Sequence, residues 1–140
     1  MVHALNETWR VLKPGGRMID TRPQAANWPV EVFDGDKSMI AGRVDDTDHK
    51  IQDKITDEAV EEAVRRGWFQ MEKKDLFEFA YDWDSVTGMQ TYIEEEWENY
   101  VTIPEEVLSE ARRLAASAEE FTKVRVLRNL MIAGYRKLAG

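Results

Sequence analysis

The chain has 140 residues, a one-domain length, and 43% of them are apolar, including five Trp, five Phe and four Tyr, which is core material that a disordered chain lacks. A formal net charge of -8 argues against nucleic acid and anionic membrane surfaces, and the absence of cysteine excludes disulfides and thiolate metal sites. No apolar run approaches the roughly 20 residues of a membrane span, and the N-terminus lacks a charged region before an apolar stretch, so a cytoplasmic protein is expected.

Val2, Leu5, Trp9 and Leu12 recur at helical spacing, and Pro14-Gly15-Gly16 ends that helix. Met18-Ile19-Asp20-Thr21 predicts a strand from about 16 to 22, stopped by Pro23. Asp34-Gly35 between apolar runs predicts a hairpin with strands near 30–34 and 38–44. Ile51, Ile55, Ala59, Val60, Ala63 and Val64 mark a helix, with Thr47 as a possible cap and Gly67 just past its end. From Trp68 to Trp83 the period becomes two, which predicts a strand with one buried face carrying Phe77, Phe79, Tyr81 and Trp83; Glu72–Asp75 is a place for a bulge.

Ser85 caps a further helix with Met89, Tyr92, Ile93, Trp97 and Tyr100 as its stripe. Thr102 and Glu105 resemble a capping box for the next helix, with Pro104 in its first turn and an end near Ala118. The segment 123–137 is apolar on both faces and predicts a central strand. The order is α/β, with helices flanking a sheet of mixed direction in one domain over 1–140.

ALNETWRVLKPGGRMI resembles the junction before the fifth strand of class I S-adenosylmethionine-dependent methyltransferases. The resemblance implies a partial Rossmann-like methyltransferase fold with an added β-hairpin. The last strand, 123–137, would return between 68–83 and the first strand and end the sheet in an antiparallel pair. It covers only the C-terminal part of that fold. The family's Gly-rich donor loop has no counterpart, since none of the eight glycines forms a G-x-G array. The implied cofactor, S-adenosylmethionine, would not bind this chain alone but only with an N-terminal half. Strand 16–22 would then lack a neighbour, an association hazard unless the hairpin or another chain covers it. A homo-oligomer or a separate N-terminal methyltransferase half is the expected partner.

Arg22, after the first strand, with Trp28 and Tyr81, is the candidate surface for a small methyl acceptor; a surface Arg and core aromatics are the plainer alternative. Asp45, Asp46, Asp48 and His49 form an acidic cluster that reads as a charged helix start rather than a metal loop. Two rival functions stand beside methyl transfer: a non-catalytic homodimeric binding or assembly module, and a small metal-using enzyme built on the acidic cluster.

Overall fold

The computed structural model describes residues 1–97 and 101–139. The elements are α1 (Val2–Val11), β1 (Arg17–Gln24), β2 (Pro29–Asp34), β3 (Lys37–Arg43), α2 (Thr47–Arg65), β4 (Phe69–Trp83), α3 (Val86–Glu96), α4 (Glu105–Ala116) and β5 (Thr122–Lys137). Five strands form one sheet in the order β1-β5-β2-β3, with β4 also paired to β5. The expected mixed direction is corrected, because the sheet is antiparallel. β5 is the central strand, as its two apolar faces require, and it pairs with both β1 and β4. Among the described residues the strand that pairs with the hairpin is β5, through β2 with Thr122–Val126, and not β1.

The chain divides into two compact units. The first comprises residues 1–24, 51–77 and 130–140. In it Leu5, Ala59, Val60, Ala63, Phe69, Met131, Ala133 and Tyr135 form a buried core, with Trp9, Leu12 and Met18 against it. The apolar stripe of α1 therefore finds its partner surface. Gly15 at φ 72° makes the helix-to-strand reversal that an L side chain resists. β1 runs on through Pro23, because the last strand in a sheet has an edge where a missing N–H costs no ladder bond.

The second unit comprises residues 25–50 and 78–129. Its core joins Trp28, Val30 and Val32 of the β2 region to Met89 and Ile93 of α3, Val107, Leu108 and Ala111 of α4, and Val124 and Val126 of β5. Ser85 caps α3 by accepting from the Gly88 N–H at 3.0 Å. The expected capping box is absent. Pro104 is the N-cap of α4 without a side-chain bond, and Thr102 instead bridges to Asp45. Tyr100, assigned to the stripe of α3, lies outside the described residues.

β4 departs most from expectation. Phe69 is buried, but residues 70–80 are exposed on both faces, with Phe77 at 46% and Phe79 at 42%. The period of two correctly marks a strand; alternation alone does not supply the layer that would bury it.

Candidate functional site

Arg22 lies near the carboxyl end of β1, in the first unit, and is only 18% exposed. Its Nε donates to Asp20 Oδ1 at 2.9 Å and Oδ2 at 3.1 Å, and its Nη2 donates to Asp57 Oδ1 of α2 at 2.9 Å. Asp20 and Arg22 are two apart on one strand and so share a face. Hydrogen bonds and charge from both aspartates outweigh desolvation and raise the guanidinium's pKa, so it stays charged at every relevant pH.

Beside this network is a cleft of about 420 Å³, lined by Arg22 and Asp57, by Val60, Glu61, Val64 and Arg65 of α2, by Met71 and Lys74 of β4, and by Tyr135 of β5. Burial, with Asp20, Asp57 and Glu61 nearby, pushes the Tyr135 hydroxyl above its ordinary pKa, so it remains a neutral donor. The cleft is polar at its Arg22 end and apolar along Val60, Val64 and Met71.

Trp28 and Tyr81 do not join Arg22. They lie in the second unit, where the guanidinium of Arg128 sits 4.7 Å from the Trp28 ring centre, 5.3 Å from Tyr81 and 4.5 Å from Trp97. Desolvation lowers the Arg128 pKa, while Tyr81 and Tyr92 act in the opposite sense. Trp28 is 1% exposed and packs edge-on against Trp97, so it serves the core rather than an open pocket. The expected three-residue substrate surface thus resolves into the Arg22 cleft and a cation enclosed by aromatic rings.

The acidic cluster does not come together as a metal centre, and no group of three or more His, Cys, Asp or Glu residues is placed to hold one among the described residues. Asp46 is fully buried, and its Oδ2 accepts from the Ala26 and Asn27 N–H groups, both at 2.8 Å. It pins the turn that carries Asn27 at φ 49°. Asp45 Oδ1 accepts from the Thr47 N–H at 3.1 Å and hydroxyl at 2.7 Å, an Asx turn leading into α2, and Thr47, expected as the cap, is the first residue of the helix.

Asp57, Tyr135, Lys74 and Arg128 are the residues that sequence reading missed. Asp57 sits one helical turn from Asp53 and Glu61 on a charged helix, where nothing distinguishes it. Arg128 interrupts an apolar strand, and that interruption is the one signal that marked any of them.

Protein-family models, curated proteins and solved structures were each compared with the chain, and none matches. No helix among the described residues is long and apolar enough to cross a membrane.

Proposed function

We propose that the first unit is the C-terminal sheet end of a methyltransferase-type assembly, and that a donor-binding half completes it along the free edge of β1. The observation that carries this reading is the state of β1. Among the described residues it stands at the end of the strand order, paired only with β5, and its Ile19 is 61% exposed. Met18 packs into the core, so Ile19 faces the opposite side of the sheet. There it lies beside Gly134, where an added Cβ would sit 3.8 Å from Ile19 Cδ1, and the neighbouring Ile132 is 38% exposed. One face of this part of the sheet is covered by α1 and α2; the other presents isoleucines to water.

The adjacency of β5 with both β1 and β4 supports the same reading, since a final strand returning between those two is what the Leu-Lys-Pro-Gly-Gly junction implied. The donor half would supply S-adenosylmethionine and the Gly-rich loop. This chain would supply the acceptor side through the Arg22 end of the cleft, and the acceptor class is a small molecule.

Calorimetric titration of S-adenosylmethionine tests the division of labour. The chain alone gives no binding heat. Mixed with a polypeptide comprising the first four strands of a class I methyltransferase, it raises that half's affinity for the donor. Micromolar binding by the chain alone, or no effect of the chain on the donor half, contradicts the proposal.

A further inference from the structure

The cleft of the first unit contains a pattern of charge that the internal ion pairs do not use. Arg22 pairs with Asp20 through Nε and with Asp57 through Nη2 at its inner end, and its buried Nη1 has no partner among the described residues. On its walls, Arg65 pairs with Glu62, and Lys73, next to Lys74, pairs with Asp75. Lys74 on β4 and Glu61 on α2 both line the cleft, yet neither enters an ion pair among the described residues. A cation and a carboxylate thus border one cavity without neutralising each other. Between them, Val64 is 37% exposed and Met71 is 51% exposed, an apolar wall that water covers at a cost.

We infer that this cleft binds a zwitterionic α-amino acid with an apolar side chain, its carboxylate toward Lys74, its ammonium toward Glu61 and Asp57, and its side chain against Val60, Val64 and Met71. The inner network suits such a ligand and disfavours a dianion. Arg22 is already matched by two carboxylates, which leaves that end of the cleft acidic, so a phosphate would meet repulsion there. A zwitterion brings one charge of each sign and leaves the balance unchanged. The volume of about 420 Å³ lies in the range of small-ligand sites and accommodates a branched side chain. The inference needs only residues of the first unit and holds whether or not a donor half completes the sheet.

The test is an NMR titration of the full chain with L-leucine, L-leucinamide and 4-methylpentanoate, following the methyl signals of Val60, Val64 and Met71. Leucine shifts these methyls with millimolar or tighter affinity. Each singly charged analogue binds about tenfold or more weakly, the loss of one charge-assisted contact. In Lys74→Gln, leucine and leucinamide bind alike; in Glu61→Gln, where Asp57 still faces the ammonium, the preference for leucine over 4-methylpentanoate shrinks. Both positions are exposed, so both variants fold. The inference is overturned if leucine leaves the three methyls unmoved, if the analogues match it on the parent chain, or if either variant keeps the parent chain's full discrimination.

Discussion

Arg22 of β1 and Asp57 of α2 are joined by a hydrogen-bonded ion pair of 2.9 Å that ties that strand to that helix. It sets the inner wall of the cleft. Asp20, 15% exposed, depends on the same guanidinium. Arg22→Met leaves Asp20 largely buried and unpaired and destabilises the chain by about 2–3 kcal/mol. Asp57→Asn removes the more exposed partner and costs under about 1 kcal/mol. Urea unfolding of the two variants checks both the order and the size.

Glu72 ties two arginines across the sheet, accepting from Arg17 Nε at 2.7 Å and Arg136 Nη2 at 2.6 Å. These bonds hold its carboxyl at about 2, against an ordinary 4.5. A depressed carboxylate pKa contributes stability that is present above the unfolded value and lost as pH falls toward the folded one. Thermal unfolding therefore shows a loss of stability between about pH 4.5 and 2 that shrinks in Glu72→Gln. Equal slopes in the two proteins would refute this contribution.

Gly42 of β3 lies at φ 153°, and a Cβ there would come within 2.6 Å of Val107 Cγ2 on α4. Gly42→Ala costs about 2 kcal/mol through backbone strain and overpacking. Val107→Ala made in that background recovers part of the loss. A double-mutant cycle by chemical denaturation measures the coupling, and additive costs would show that the contact is not the cause.

Arg128 faces three aromatic rings within 5.3 Å. Arg128→Met keeps the volume, loses the cation and costs about 1–2 kcal/mol. Arg128→Lys falls between the two, because a compact ammonium cannot stack as a planar guanidinium does. Denaturation followed by tryptophan emission reads the ranking.

Much of the fold was legible in residues that act locally. Pro14-Gly15-Gly16, Asp34-Gly35 and Ser85 each fix a turn or a cap by their own geometry, and the structure places turns and strands there. Pro23 misled because a strand stop and an edge strand look alike in sequence; only the sheet order separates them. β4 misled because its alternation states which residues share a face, not whether another layer covers that face. Thr47 misled because a small hydroxyl residue suits a cap and a first helical position alike; here it is the first residue of α2 and donates to Asp45.

The site was legible in part. Arg22 could be found from its position at a strand's carboxyl end. Asp57, Lys74 and Tyr135 come to it from segments 35 to 113 residues away in sequence, and no local pattern announces that meeting. Trp28 and Tyr81 were singled out for aromatic surface, and that surface is used internally on Arg128.

Hydrogen exchange at the amides of Arg17–Gln24 tests most directly whether β1 is an edge awaiting a partner strand. The outward-facing amides of β1 exchange rapidly in the chain alone and slow at least about a hundredfold when the donor-binding half is added, as unpaired edge groups acquire partners. Slow exchange of all of them in the isolated chain, or no slowing in the mixture, would contradict the account.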